Sequence, residues 1–374
     1  MRVPAEARVD LGAIGDNIGL LRERVRGAEV MAMVKAEAYG HGLVEAAGAA
    51  LAGGATWLGV AKLAEALRLR DAGLTARTLV CLGVPGEPYA EAVARDIDLT
   101  VGAIWLLDEV VRAAERSGRQ ARVHLKADTG MSRGGAGGAD WEALVDAALK
   151  AEAAGQVRVA GVMSHFACAD EPGHPSIAAQ LGAFTEMVAY AEKAGARFEV
   201  RHLANSAAAL TLPEARFDLV RPGIATYGLT PVPRLGTFGL RPAMTLAADA
   251  ALVKRVPAGR GVSYGHTYTT REATNLAVVP VGYGDGIPRH GSNLLEVLAG
   301  GRRRTIAGRV CMDQFVIDLG DDRLSAGDEI ILFGPGGQGE PTAQEWADAL
   351  DTISYEIVTR IGSRVPRAYP GRAL

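Results

Sequence analysis

Through the first two-thirds of the chain, short apolar runs alternate with longer stretches that carry apolar residues at helical spacing. The short runs lack a 3.6-residue period and are rich in Val, Leu and Ile, which is typical of strands buried on both faces. They predict strands at 30–34, 57–60, 78–82, 98–101, 122–127, 157–164, 199–204 and 218–221. Helices are predicted after Gly42 and at 61–72, 104–117, 139–154 and 176–194.

This alternation predicts parallel strands joined by helices. Eight strand–helix units are the number that closes a (β/α)8 barrel. An open, doubly wound sheet is the alternative, since periodicity alone does not decide whether the sheet closes. The count favours an α/β, TIM-like barrel that spans residues 1–240.

From about Arg241 the pattern changes to Val-, Leu-, Ile- and Thr-rich runs between Gly- and Asp-rich turns, which predicts a mostly antiparallel β domain. Strands are expected at 246–256, 274–281, 294–298, 303–311, 315–319 and 328–333, and helical pieces at 342–350 and 354–361. A linker rich in proline and glycine at 229–242 separates this domain, 241–374, from the barrel. Residues 7–10 are predicted to form a strand that folds back onto it.

Composition narrows the class of protein. The chain has 374 residues, of which 48% are hydrophobic, enough for two domains with sizeable cores. A net charge of −3 and a pI near 6.2 argue against nucleic-acid or anionic membrane partners. We find no signal-peptide pattern, no apolar run long enough to span a bilayer, and no metal-ligand spacing among three scattered cysteines. A cytoplasmic protein without a bound metal is expected.

Candidate chemistry begins at Lys35, which ends the first predicted strand and precedes a Gly-His-Gly turn. Lys35 and Tyr39 are therefore expected at the carboxyl edge of that strand, where ligands bind in α/β folds. A partly desolvated lysine at this edge suits Schiff-base or general-base chemistry. The alternative is a lysine that packs its stem along the strand and extends its amine into water.

Polar and charged residues recur directly after four later strands, where a closed barrel would gather them around one site. In chain order they are Lys126, Arg133, His165, Asn205, Ser206 and Arg221, and the non-polar Gly223 and Ile224 follow in the same loop as Arg221.

Several of these residues also have a purely structural interpretation. His165 could be a hydrogen-bonded core histidine, and Arg133 could be exposed in its glycine-rich loop. Arg221 could pair with Asp218 at the surface, where such a bridge contributes little. Asn205 and Ser206 could simply cap the following helix, although a helix N-terminus with a serine also suits a phosphate group.

Two motifs resemble those of a known enzyme family. Residues 34–42, Val-Lys-Ala-Glu-Ala-Tyr-Gly-His-Gly, resemble the pyridoxal-phosphate lysine motif of bacterial alanine racemases, with Glu37 in place of the usual Asp or Asn. Residues 282–286, Gly-Tyr-Gly-Asp-Gly, resemble the family's Gly-Tyr-Ala-Asp-Gly, with Gly284 in place of alanine. The resemblance runs from Lys35 to Arg367. It implies a barrel followed by a β domain, with pyridoxal 5′-phosphate as the cofactor.

The resemblance also implies roles around that cofactor. Lys35 would hold it as an internal aldimine, Arg221 would face its pyridine nitrogen, and His165 would lie against the ring and bond to Arg221. Arg133 would orient the cofactor's phenol oxygen and the substrate carboxylate, itself held by a carbamylated Lys126. The phosphate and the remaining contacts would come from Tyr39, Asn205, Ser206, Gly223, Ile224 and Tyr355.

The residue at the ring nitrogen decides the type of reaction. An acid there protonates the nitrogen and makes the ring a strong electron sink. An arginine can only donate, so it leaves the nitrogen unprotonated and the carbanion less delocalised. Arg221 in that position would disfavour transamination and decarboxylation while still permitting removal and return of the α-proton.

Racemisation requires one base on each face of a planar carbanion, because a single fixed side chain cannot reach both. Lys35 can serve one face. The resemblance supplies the other base as Tyr264 from a partner subunit, so a homodimer with shared active sites is implied. Tyrosine has a reference pKa of about 10 and needs a polar partner, which the resemblance places at His165. From residues alone, Tyr264 would be an ordinary aromatic of a β-rich domain.

Three further residues complete the implied site. Met312 would offer its backbone amide to the substrate carboxylate, and Tyr283 and Tyr355 would line the entrance. The leading interpretation is an alanine racemase that supplies D-alanine for peptidoglycan. A decarboxylase of the same architecture and a non-catalytic pyridoxal-phosphate carrier are the alternatives; Arg221 argues against the first and a second base against the other.

Overall fold

The computed structural model of the protein describes residues 3–371, which form two compact units. One unit holds Ile14–Ala38 and Leu43–Leu240. The other holds the described residues up to Ala13, the segment Tyr39–Gly42, and the chain from Arg241 onward as far as it is described. None of the described helices combines the length and the apolar character needed to cross a bilayer.

Eight parallel strands form the sheet of the first unit. In chain order they are Glu29–Met33, Trp57–Val60, Arg77–Val80, Asp98–Val101, Ala121–Lys126, Val157–Met163, Val200–His202 and Leu219–Val220. The last strand pairs with the first, and the backbone amide of Arg221 donates to the Ala204 carbonyl at 2.9 Å beside the seventh. The sheet therefore closes into a TIM-like barrel, as predicted, and the open-sheet alternative is wrong.

The helices between these strands bury an apolar stripe each. They are Leu43–Ala52, Leu63–Asp71, Tyr89–Ala94, Ile104–Ser117, Ala139–Ala153, Pro175–Ala194 and Ser206–Thr211. In the helix at 104–117, Leu106, Leu107, Val110 and Ala114 are buried at spacings of three to four residues, and each buried leucine or valine stabilises the fold by about 1.5–3 kcal/mol. That helix ends at Gly118, whose φ of 66° is left-handed.

A helix at Leu11–Arg24 precedes the first barrel strand and is not among the predicted helices. Its buried residues Ile14, Ile18 and Leu21 follow helical spacing. Three glycines lie in the same stretch, and each lowers helix propensity by about 1 kcal/mol relative to alanine. Burial of the apolar stripe outweighs that cost, which propensity alone does not reveal.

The second unit is mostly antiparallel, as predicted. Its largest sheet contains, in spatial order, Arg302–Thr305, Glu296–Ala299, Glu329–Phe333, Met244–Asp249, Ala5–Val9 and Arg367–Ala368. A three-stranded sheet contains Leu252–Val256, Thr274–Val279 and Phe315–Gly320, and a short ribbon pairs Gly261–Val262 with Tyr268–Thr269. Two helices follow, Ala343–Ala349 and Ser354–Thr359. The strand at the chain start pairs with Met244–Asp249, as expected for a segment that folds back.

The single strand expected at 246–256 is wrong, because two strands of different sheets meet there. The amide of Ala250 donates to the Asp328 carbonyl beside the large sheet, and the amide of Ala251 donates to the Val278 carbonyl in the three-stranded sheet. The backbone changes partners between two adjacent alanines, and neither residue is a turn former that the sequence pattern would detect. The strand expected at 303–311 ends at Thr305.

Candidate active site

Lys35 follows the first barrel strand and precedes a left-handed turn. Ala36, Glu37, Ala38 and Tyr39 have φ angles of 53° or 54°. A non-glycine residue in this region costs about 1–2 kcal/mol, and such residues normally occur singly. The chain therefore fixes the backbone after Lys35 in a conformation that its residue types disfavour, a kind of strain that concentrates at functional sites.

Glu65 stabilises the start of this turn. Its Oε1 accepts a hydrogen bond from the Ala36 amide at 2.7 Å, and its Oε2 accepts from the amides of Ala61 and Lys62 at 2.9 and 3.0 Å. Hydrogen bonds to a charged acceptor are roughly twice as strong as neutral ones. Because Ala61 and Lys62 follow the second barrel strand, one carboxylate joins the loops after two neighbouring strands.

Glu37, the departure from the family motif, forms an ion pair with Arg68 on the helix Leu63–Asp71. Both side chains are 52% exposed, so the pair contributes at most about 1 kcal/mol. The longer acid is accommodated because it extends along this helix.

Arg221 is buried, with 4% of its surface exposed. Nη1 donates to Nδ1 and to the carbonyl oxygen of His202, both at 2.9 Å. Nη2 donates to the carbonyls of Ser164 (2.6 Å) and Leu203 (3.2 Å) and to His165 Nδ1 (3.2 Å). Within residues 3–371 the guanidinium makes its hydrogen bonds through the two Nη atoms, so the Nε–H is the donor available to a ligand. Burial lowers the pKa of Arg221 to about 10, which leaves it protonated at neutral pH.

The pairing of Arg221 with Asp218 at the surface is wrong. Asp218 accepts instead from the backbone amide and the Nε of Arg201, each at 2.8 Å. Residues 218 and 221 are an odd number of positions apart, so extended backbone directs their side chains to opposite faces.

His165 lies against the Arg221 guanidinium. Because Nη2 can only donate, His165 Nδ1 must accept, and the ring proton must sit on Nε2. Burial, followed by the positive charges of Arg221 and Arg133, lowers the pKa of His165 to about 3. His165 is therefore neutral near pH 7 and offers its Nε2–H to whatever lies beyond it.

Lys126 ends the fifth barrel strand and is half-buried. Burial lowers its pKa, and the charges of Arg133 and Arg221 lower it further. Gly134 lies beside the amine, since a Cβ built there would stand in ordinary van der Waals contact with Lys126 Nζ, at 3.5 Å. The site therefore disfavours a positive charge on this lysine.

Cys81 belongs to the same group, although the sequence reasoning overlooks it. Burial raises the pKa of its thiol, while the positive charges of Arg221, Lys35 and Lys126 act in the opposite direction. Cys81 directly follows the third barrel strand, and that position is the signal that identified the other candidates.

Asn205 and Ser206 accept hydrogen bonds from different parts of the backbone at the start of the helix Ser206–Thr211. Asn205 is the N-cap, and its Oδ1 accepts from the Ala208 amide at 3.1 Å. The buried Ser206 hydroxyl accepts instead from the amides of Gly223 (2.8 Å) and Ala225 (3.3 Å). The helix cap expected at Asn205 and Ser206 is therefore confirmed for Asn205, whereas Ser206 does not cap the helix. Its hydroxyl hydrogen and the amide of Ile224, between those two amides, form a compact set of donors.

In the second unit, Tyr264 and Met312 line one concave surface, which encloses a volume of about 560 Å³. Tyr264 begins a short 3-10 turn and is 71% exposed, and Met312 is 52% exposed. Among the large apolar side chains of residues 3–371, Tyr264 has the greatest exposed fraction. Ser263 fixes the base of the turn, because its hydroxyl donates to the Arg309 carbonyl at 2.7 Å.

The loop that carries Tyr283 packs against the loop that carries Met312. The amides of Tyr283 and Gly284 donate to the carbonyls of Cys311 (2.9 Å) and Met312 (2.8 Å). A Cβ at Gly284 would lie 2.7 Å from Arg364 Nη1. The glycine that replaces the family's alanine thus makes room for Arg364, which pairs with Asp285 and Asp313 on either side.

Tyr39 and Tyr355 meet within the second unit, with ring centroids 6.1 Å apart and planes inclined by 49°. The candidate residues thus fall into two sets, one in each unit. In the barrel, Lys35, Lys126, Arg133 and Arg221 all act electrostatically on His165. The other set comprises Tyr39, Tyr264, Tyr283, Met312 and Tyr355.

The burial of His202 predicts a loss of stability in acid. Burial, and then the charge of Arg221, holds the pKa of His202 well below 6.5, so the folded protein keeps it neutral while the unfolded chain protonates it. Between pH 7.5 and 5.5 one such histidine costs about 1.4 kcal/mol of unfolding free energy. Urea denaturation at fixed protein concentration measures this difference. Between the same two pH values, the unfolding free energy of the wild type should fall by that much more than the unfolding free energy of His202→Gln.

His290→Gln, which removes an exposed histidine, is the control and should behave as the wild type does. An equal loss of stability in His202→Gln and the wild type would contradict the assignment.

Two family models match the chain. One, described as alanine racemase, N-terminal domain, covers residues 9–231, and the other, alanine racemase, C-terminal domain, covers residues 243–369.

Curated relatives match over nearly the whole length. A protein named alanine racemase from Thermobifida fusca is 63% identical over 98% of both chains, and one from Streptomyces coelicolor is 61% identical over 98% of this chain and 95% of its own. Solved structures agree. The alanine racemase of S. coelicolor superposes with a TM-score of 0.97 at 60% identity, over 99% of this chain and 98% of that one. The enzyme from D-cycloserine-producing Streptomyces lavendulae gives 0.98 at 56% identity, over 100% and 98%.

Proposed function

This chain belongs to the alanine racemase family of pyridoxal-phosphate enzymes, and from that premise we propose that it interconverts L- and D-alanine with Lys35 and a partner subunit's Tyr264 as the two bases. The observation that carries the proposal is the buried Arg221 with its one available Nε–H. A donor at that place suits proton removal and return rather than chemistry that needs a protonated ring.

The residues present fit a phosphate-bearing pyridine cofactor. The hydroxyl of Ser206 and the amide of Ile224 are donors of the kind that bind phosphate oxygens, and Arg221 Nε–H suits an unprotonated ring nitrogen. The Lys35 amine is the group that would hold the aldehyde. Once bound, pyridoxal phosphate acts as an electron sink that acidifies the α-hydrogen of an attached amino acid.

Arg221 would offer its Nε–H to the ring nitrogen of the bound cofactor without giving up a proton. Its pKa of about 10 keeps it charged at neutral pH. It therefore stabilises negative charge less than a proton transferred to the ring would, which favours return of the α-proton over decarboxylation.

The two bases act from opposite sides in this proposal. Lys35 removes or returns the proton on one face. On the other face the partner subunit's Tyr264 does so, with its phenolic oxygen accepting a hydrogen bond from His165 Nε2–H. Because His165 is neutral, it stabilises a phenolate without first protonating it. Positioned proton transfer of this kind contributes on the order of 10²–10⁴-fold in rate.

Arg133 and the backbone amide of Met312 bind the substrate carboxylate, and Tyr283 and Tyr355 line the entrance. Carbamylation of Lys126 fits the surrounding charges, because it converts repulsion from Arg133 into attraction. A homodimer is supported by the exposure of Tyr264 and Met312 on one concave surface, which a second copy would cover. Supply of D-alanine to peptidoglycan is the expected use of the product.

The test is exchange of the α-hydrogen of L-alanine in deuterated water, followed by chiral analysis. A racemase yields both enantiomers labelled at the α-carbon, with no amine or carbon dioxide released. Release of carbon dioxide would indicate a decarboxylase, and absence of exchange would indicate a carrier; either outcome contradicts the proposal.

A further inference from the structure

A line of buried polar side chains lies inside the barrel next to Arg221, and the reaction as proposed does not use it. His202 Nε2 lies 2.8 Å from His124 Nδ1, and His124 Nε2 lies 3.1 Å from Asp98 Oδ2. Both histidines are completely buried and Asp98 is 2% exposed. Polar groups buried this deeply cost folding free energy unless each has a hydrogen-bond partner. Here both nitrogens of each imidazole and the carboxylate have one.

The direction of every hydrogen bond in the line follows from Arg221. Its Nη1 can only donate, so His202 Nδ1 accepts and the His202 proton must sit on Nε2. That proton is donated to His124 Nδ1, so the His124 proton also sits on Nε2 and is donated to Asp98. Both imidazoles are therefore neutral, and each is confined to a single tautomer.

The backbone makes room for the middle of the line. Gly161 pairs with His124 on the adjacent strand, and a Cβ built there would stand 2.5 Å from His124 Nδ1. Gly161 is not among the residues with positive φ, so backbone conformation does not require a glycine. The space it leaves is occupied by the imidazole, whose ring also meets the edge of Trp57 with centroids 5.6 Å apart.

Asp98 ends the line at the opposite end of the barrel interior. It is the first residue of its strand, whereas Arg221 follows the last strand. Its two carboxylate oxygens also accept from Arg122 Nε at 3.1 and 3.3 Å, which fixes the carboxylate. The line therefore connects a buried guanidinium to an anchored carboxylate through two imidazoles.

We propose that Asp98, His124 and His202 are positioning residues, which orient Arg221 through this one-directional chain of hydrogen bonds. The inference rests on the proposed function, in which Arg221 Nε–H must face the ring nitrogen. The remaining guanidinium partners are carbonyl oxygens and His165 at 3.2 Å. Carbonyl oxygens accept over a broad range of directions, whereas the lone pair of His202 Nδ1 lies in the ring plane and selects one rotation of the guanidinium.

Nuclear magnetic resonance of the holoenzyme with ¹⁵N-labelled histidine tests the direction of these hydrogen bonds independently of activity. His124 and His202 should both give the signature of the neutral Nε2–H tautomer at pH 7.5, with N–H protons that exchange slowly with water. A proton on Nδ1 of either ring, or a doubly protonated ring, overturns the proposal.

Variants at His124 test the consequence for catalysis. Glutamine can accept from His202 and donate to Asp98, so His124→Gln should keep kcat within about twofold. His124→Leu breaks the chain and should lower kcat about tenfold with KM for alanine little changed, because Arg221 does not contact the substrate. Should the leucine variant fail to fold, Gly161→Ala serves instead, since it displaces the imidazole without removing a polar group.

Equal kcat values in the leucine variant and the wild type, or equal losses with leucine and glutamine, overturn the proposal. Failure of the proposed function looks different, because the wild type would then show no racemisation while the tautomer signature remained.

Discussion

Lys35→Ala abolishes racemisation and the absorbance band of the bound cofactor together. The same amine is expected to hold the cofactor and to move a proton, so both functions depend on one side chain. We expect activity to fall by about 10⁴-fold, the upper range for loss of a positioned base. Racemisation of alanine, followed by polarimetry or chiral chromatography, and the visible spectrum of the purified protein measure the two effects.

Lys193→Ala, on the exposed side of a barrel helix, is the matched control and should keep both activity and absorbance. Borohydride reduction adds a direct test, because it should fix the cofactor to Lys35 in the wild type and to no residue in the variant. Reducible cofactor bound to Lys35→Ala would contradict the assignment.

Tyr264→Phe lowers racemisation by about 10²–10⁴-fold while leaving hydrogen exchange in one enantiomer. L- and D-alanine have equal free energies, so kcat/KM must fall equally in both directions. Exchange of the α-hydrogen without inversion needs only the base on one face. In deuterated water, the enantiomer whose α-hydrogen faces Lys35 should still become labelled with retained configuration, and the other enantiomer should not.

Tyr190→Phe provides the control. Tyr190 lies on the helix Pro175–Ala194, so this substitution removes a tyrosine hydroxyl outside the site. Interconversion at the normal rate in Tyr264→Phe would exclude a second base at this position. Mixing Tyr264→Phe with Lys35→Ala should restore part of the activity, because a shared dimer site can combine one intact residue from each copy.

Much of the barrel is predictable from sequence because its strands are buried on both faces and appear as uninterrupted apolar runs. The fifth strand is expected at 122–127 and observed at Ala121–Lys126. Where the prediction is wrong, local pattern and tertiary contacts disagree. Glycines conceal the helix Leu11–Arg24, and the change of partners at Ala250 and Ala251 leaves no mark in the apolar pattern.

The candidate site is predictable only in part. Position after a strand indicated Lys35, His165 and Arg221, since side chains at one end of a barrel converge whatever lies between them in the chain. The same reasoning could not find Glu65, which looks like an ordinary acid in the first turn of a helix, or His124, which lies within an apolar strand. Both act on other residues of the barrel, so their significance depends on contacts that exist only after folding.

The left-handed turn after Lys35 has a consequence for repeated turnover. In the proposed reaction an incoming amino acid would take the place of Lys35 on the cofactor, so the lysine amine would have to move away and later return. Four residues in a disfavoured left-handed conformation follow Lys35 and fix the main chain there. The movement of the amine is therefore confined to rotations about the side-chain bonds of Lys35. The Lys35 nitrogen therefore moves relative to a fixed backbone and returns to the same position in every cycle. A glycine next to it would let the backbone change conformation, and the position would then vary.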